Sequence, residues 1–221
     1  FMRAGDDTMP IRFVVERMRD GRSFSTRRVH ALQHGRPILS MTASFQDPSD
    51  GLDHQVAAPD VPSPDDLESI GDSYGAIDHP RAKYVATRPV DHRYVDGDIM
   101  MAPAPEQDGH QRVWFRTIAQ LPHDQLTRCA VLAFASDYTP IDSMLRAHGL
   151  TWSEPGLTPA TIDHTIWFHR PVDPGAWLLY DQESPSTRSG RGLMVGKVFT
   201  EEGVLVATIA QEAMVRIKPV G

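Results

Sequence analysis

The sequence predicts an α+β fold in which antiparallel sheets wrap a central helix. Three observations carry this prediction. Short runs rich in β-branched and apolar residues recur along the chain, separated by glycine-containing turns. One apolar segment, Leu126 to about Ser136, is long enough for a helix and nearly apolar all round, which predicts burial. A weak internal repeat places strands of the same kind, in the same order, at both ends of the chain.

The first elements, Ile11 to Glu16 and Ser23 to Gln46, read as antiparallel strands broken by the turns Asp20-Gly-Arg22 and His34-Gly-Arg36. From Asp47 to about Pro80 the composition shifts to Pro, Asp, Ser and Gly with little periodicity, and an exposed linker is expected. Order returns at Tyr84 to Tyr94 and more firmly at Arg112 to Ile118, which alternates as a strand does. Asp124 is placed to cap the apolar helix. Ala160 to His169, Ala176 to Glu183, Arg191 to Thr200 and Val204 to Ile217 then read as four more strands.

In the repeat, Phe1-Met-Arg3 matches Phe168-His-Arg170 and Gly35 falls opposite Gly203, an offset of about 167. Only the second copy has a strand and an apolar helix between Arg112 and Trp167. A helix wrapped by a curved antiparallel sheet is the hot-dog arrangement, and two copies make a double hot-dog. The expected division is an incomplete N-terminal copy over 1–46, lacking a first strand and helix, a linker and connecting segment over 47–110, and a complete C-terminal copy over 111–221.

Bulk properties exclude several functions. A length of 221 residues suffices for a substantial core. The formal net charge of -7 argues against nucleic acid as a partner, since phosphate neutralisation needs a basic face. No run of about 18 apolar residues offers a membrane span. Cys129 is the one cysteine, so no disulfide framework can form, and a reducing, cytoplasmic setting is expected. No G-x-S-x-G elbow is present. Gly190 to Lys197 fails as a phosphate-binding loop, because Arg191 stands where its first glycine belongs and Val198 replaces the magnesium-binding hydroxyl. His30 with His34, and His164 with His169, lack a zinc-type motif and read as structural histidines.

Longer motifs are more specific. Leu132-Ala-Phe-Ala-Ser-Asp137, Ala160-Thr-Ile-Asp-His-Thr-Ile-Trp-Phe-His-Arg-Pro171, Trp177-Leu-Leu-Tyr180, Gly203-Val-Leu-Val-Ala207 and Ala210-Gln-Glu212 resemble the acyl-CoA thioesterase II family. The resemblance extends to Ser23-Phe-Ser-Thr-Arg-Arg28 and Met41-Thr-Ala-Ser-Phe-Gln46, and so covers almost all of the chain except the linker. It implies hydrolysis of acyl-CoA thioesters without a cofactor or metal, an acyl-CoA substrate, a homo-oligomer, and a catalytic set at Asp137, Thr161 and Gln211.

The chemistry suits those residue types. A thioester carbonyl is electrophilic enough for an oriented water to attack, provided the water can shed its proton. Of the three, only Asp137 can receive that proton, while the Thr161 hydroxyl and the Gln211 amide can hold the water. Oxyanion donors are expected among backbone amides at the helix terminus near Asp137. Ala43 aligns with Gln211 in the first copy, which predicts one site per chain. The CoA phosphates call for arginines, with Arg170, Arg188 and Arg191 as candidates, the last two in a glycine-containing loop that could equally be a hairpin turn. An enoyl-CoA hydratase on the same fold would need a histidine four or five residues after the Asp, and after Asp137 there is none until His148. A non-catalytic acyl-CoA binding or scaffold protein is the alternative from a different class.

Overall fold

A computed structural model describes residues 1–218, which form two units, Phe1–His54 and the chain from Gln55 onward. The first unit is a three-stranded antiparallel meander of β1 (Arg12–Asp20), β2 (Phe24–Gln33) and β3 (Arg36–Gln46). Its β2–β3 turn has only two central residues, His34 at φ 48° and Gly35 at φ 72°, between the paired Gln33 and Arg36. Positive φ at both positions matches the right-handed twist of the strands, which explains a glycine there.

The second unit is a six-stranded antiparallel sheet in the order β4-β5-β7-β8-β9-β6. Its strands are β4 (Val90–Tyr94), β5 (His110–Thr117), β6 (Leu157–Phe168), β7 (Leu178–Arg188), β8 (Arg191–Thr200) and β9 (Leu205–Ile217). Displaced by 167 residues, β2 coincides end for end with β8, so the repeat read from the sequence is also a repeat of strands. Both faces of the sheet are covered. Val113, Phe115, Leu178, Tyr180 and Val198 point one way into the main core, while Trp114, Leu179 and Phe199 point the other way, as strand alternation requires.

Two expectations are corrected. The linker reading fits residues 47–63, which carry no regular element, but fails from residue 64 onward: α1 (Ile70–Gly75) and α2 (Pro80–Ala86) sink Ile70, Tyr74, Ala82 and Val85 into the main core. Ala58, Val61 and Leu67 also pack on the other face of the sheet, where Trp114 Nε1 donates to the Pro62 carbonyl at 2.9 Å. Proline and aspartate there start helices, with Pro80 at the first turn of α2 and His79 Nδ1 accepting from Arg81 N–H. The second unit therefore begins well before residue 111.

The second correction concerns the central helix. The apolar segment forms α3 (Gln125–Ala135), and Asp124 caps it by accepting from Thr127 N–H at 2.8 Å. Yet α3 buries only Leu132 and Ala135, and Leu126 and Phe134 are 65% and 56% exposed. The helix seated across β5, β7 and β8 is the next one, α4 (Pro140–Ala147), buried from Pro140 through Arg146. Gly192 on β8 permits this approach, since a Cβ there would run into Met144 of α4.

Hydropathy misses α4 because Asp142, Ser143 and Arg146 look like surface residues. Each is satisfied internally: Asp142 accepts from Trp152 Nε1 at 2.6 Å and Tyr94 Oη at 3.0 Å, Ser143 donates to Pro140 O at 2.8 Å, and Arg146 donates to Asp96 O at 3.0 Å. Burial still dominates at Asp142, pushing its carboxyl from 3.8 up to about 6. The folded state then holds this proton more tightly than the unfolded chain, so its contribution to stability is present below pH 4 and lost as pH rises to about 6. The loss is about 3 kcal/mol. His92 works in the opposite direction, since burial lowers its imidazole to about 3 and stability falls as the pH drops below the usual histidine range. Comparison of Asp142→Asn with wild type cancels the His92 contribution. In urea unfolding at pH 4, 5, 6 and 7, the variant should gain about 3 kcal/mol on wild type between pH 4 and 6 and nothing further above. A difference independent of pH would show that Asp142 does not titrate in this range.

Candidate functional site

Asp137 lies in the short break between α3 and α4. Ser136 ends α3, its N–H bonding to Leu132 O and Phe134 O, and Pro140 starts α4 as its first residue. A proline disfavours helical backbone in the residue before it, so one helix cannot run through and the break exposes the Asp137 carboxylate. Thr161 comes from β6 and Gln211 from β9, strands paired so that Thr161 opposes Ala213 and His164 opposes Gln211. An extra residue, Ile162, interrupts the ladder between them. Residues three apart in a regular strand face opposite ways, but this bulge turns Thr161 and His164 to the same face as Gln211. The Asp163 side chain accepts from Glu212 N–H at 3.2 Å beside the bulge.

The three residues predicted from the sequence meet in one hydrogen-bonded chain. Thr161 Oγ1 donates to Asp137 Oδ1 at 3.1 Å, and Gln211 Nε2 donates to Thr161 Oγ1 at 3.1 Å. The chain continues beyond them: Gln211 Oε1 lies 2.6 Å from His164 Nδ1, and His164 Nε2 lies 3.0 Å from Ser136 Oγ. It runs from solvent at Asp137 to a fully buried Gln211 and Ser136. Tyr180 is buried nearby, its phenol pushed upward by burial first and by the charge of Asp137 second. The amides of Asp137 and Tyr138, expected as oxyanion donors, are spent on Phe134 O and Ala135 O at 3.4 and 3.3 Å.

The predicted arginines do not assemble with this chain. Arg188 and Arg191 flank a two-residue turn, Ser189-Gly190, so their loop is a hairpin and not a phosphate cradle. Arg191 pairs with Glu212 at 3.3 Å, and both lie on the sheet face opposite Gln211, because Arg191 opposes Met214, three positions along β9 from Gln211. Arg170 donates to Leu205 O at 2.9 Å, nine residues along β9 from Met214, or roughly 30 Å at the usual rise per strand residue. One group of phosphates cannot engage all three. Three other arginines, Arg88, Arg116 and Arg128, line a separate cavity of about 790 Å³ whose wall includes none of Asp137, Thr161 and Gln211. His148 is exposed at the C-terminal end of α4, away from the hydrogen-bonded chain. No group of three or more His, Cys, Asp or Glu side chains able to hold a metal occurs among the described residues, and no described helix is long and apolar enough to cross a membrane.

Known proteins share this geometry's sequence and fold. A family model described as the acyl-CoA thioesterase C-terminal domain matches residues 57–215, and one described as the acyl-CoA thioesterase N-terminal domain matches residues 1–46. The chain belongs to the acyl-CoA thioesterase II family. It is 37% identical to acyl-CoA thioesterase 2 of Haemophilus influenzae over 98% of this chain and 77% of that protein. The crystal structure of an acyl-CoA thioesterase II from Mycobacterium marinum shares 42% identity, with a TM-score of 0.81 over 99% of this chain and 78% of that one. A protein from Alicyclobacillus acidocaldarius described as having the hot-dog fold matches with a TM-score of 0.74 at 21% identity, over 95% of this chain and 74% of that chain. The fold of this thioesterase-family chain is thus the expected α+β double hot-dog.

Sequence reasoning missed His164 and Ser136. Simple alternation along β6 places His164 on the face opposite Thr161, and only the bulge at Ile162 brings the two together.

Proposed function

We propose that this chain hydrolyses acyl-CoA thioesters to free acid and CoA by direct attack of a water held by Asp137, Thr161 and Gln211. The observation that carries the reading is the joining of these three side chains, from a helix break and two strands, in one hydrogen-bonded chain that ends on an exposed carboxylate. Thr161 occupies one oxygen of Asp137, which leaves the other to accept a proton from water. Gln211 has a second N–H to offer that water. The water oxygen bonds to the thioester carbonyl carbon as its proton passes to Asp137. Collapse of the tetrahedral intermediate then breaks the C–S bond, and the CoA sulfur leaves with the proton that Asp137 returns.

Incubation with acyl-CoAs of graded chain length and a thiol reagent tests this reading. Release of CoA thiol is expected, and saturable binding without release would replace the enzyme with a binding or scaffold protein. Homo-oligomerisation is part of the same proposal, favoured by exposed apolar residues on the three-stranded sheet such as Phe13, Val15 and Phe45. A reducing, cytoplasmic setting is favoured by the lone, unpaired Cys129.

A further inference from the structure

We infer that His164, backed by Ser136, is a positioning residue that locks the Gln211 amide in the one orientation the reaction can use. The inference rests on the thioesterase reading above, and a count of protons supports it. An ionised carboxylate can only accept, so the Thr161 hydroxyl must spend its single proton on Asp137. The contact between Thr161 and Gln211 must then be donated by the amide nitrogen, which turns the amide oxygen toward His164. Two bare acceptors do not sit 2.6 Å apart, so His164 Nδ1 carries a proton.

In the neutral ring Nε2 is then an acceptor, and Ser136 Oγ stands 3.0 Å away to donate. The same hydroxyl is 3.0 Å from Ala133 O, so if the ring becomes doubly protonated, Ser136 can turn its proton to that carbonyl and accept from Nε2 instead. In either state Nδ1–H still faces Gln211. With the ring neutral, every hydrogen bond from Ser136 to Asp137 points the same way.

Without a donor at position 164 the buried amide is free to flip. A flipped Gln211 would offer its oxygen to Thr161, draw the hydroxyl proton away from Asp137, and turn its N–H groups from the water. Ground-state binding of the acyl-CoA makes no use of this orientation, so the effect belongs in kcat.

Four proteins test the inference with a saturating acyl-CoA substrate: wild type, His164→Leu, His164→Asn and the double variant His164→Leu/Gln211→Ala, with Gln211→Ala as its reference. His164→Leu should lower kcat roughly 10- to 100-fold with KM nearly unchanged. His164→Asn, whose side-chain N–H can occupy the place of Nδ1–H, should recover most of that loss. In the Gln211→Ala background, His164→Leu should cost nothing more, because the group it orients is gone. Thermal melts identify any variant that fails to fold. If His164→Leu misfolds, the Asn variant decides between the two outcomes through its kcat. Wild-type kcat in folded His164→Leu, a folded Asn variant as slow as the Leu variant, or an additive loss in the double variant would each overturn the inference. Absence of CoA release by wild type itself would instead overturn the thioesterase reading.

Discussion

Replacement of Asp137 by Asn should abolish steady-state hydrolysis, with kcat falling by roughly 10²- to 10⁴-fold. The substitution is nearly isosteric, and the Asn carbonyl oxygen can still accept from Thr161, so the hydrogen-bonded chain persists and only the proton acceptor is lost. Asp137 is exposed and caps neither helix, so stability should change by no more than about 0.5 kcal/mol. Affinity for acyl-CoA should also hold, measured by calorimetry under conditions where the variant does not turn over. Wild-type turnover in Asp137→Asn would remove the general base from the mechanism and the mechanism with it.

The second large effect is expected at Thr161. Thr161→Val keeps the branched shape that suits β6 but deletes the hydroxyl that donates to Asp137 and accepts from Gln211. Asp137 and the Gln211 amide lose their link in one step, and kcat should fall on the order of 10²-fold, as for a small misplacement of a catalytic group. Thr161→Ser retains the hydroxyl and should remain within about tenfold of wild type. Stopped-flow measurement of single turnovers separates this chemical step from product release. Equal rates for the Val and Ser variants would mean that the hydroxyl plays no part in orienting the base.

The strands of both units were legible because alternation and glycine turns are local signals, and β8 falls where its pattern places it, at Arg191–Thr200. Asp137, Thr161 and Gln211 were legible through long motifs, and the fold brings them together. What was illegible depends on partners distant in sequence. Asp142 reads as solvated until Tyr94 and Trp152 are found beside it, and this hides the buried helix. Residues 64–86 read as linker because their apolar positions are sparse and their partners lie in the strands. Apolarity misled in the other direction at α3, where Leu126 and Phe134 face outward. The arginines failed for a related reason. Motif order cannot tell which face of β8 carries Arg191, whereas the pairing of β8 with β9 does.

The place of β6 in the sheet has a consequence for how the molecule is made. It is the edge strand, bonded only to β9, and β9 is the last strand of the sheet in chain order. During synthesis β4, β5, β7 and β8 can find one another while β6, already emerged, has no strand to join. Thr161 and Gln211 are 50 residues apart, and this loop closes only when β9 slides between β8 and β6. The hydrolytic site is therefore assembled by the final act of folding, so a chain cut short before β9 cannot carry even a weakened form of it.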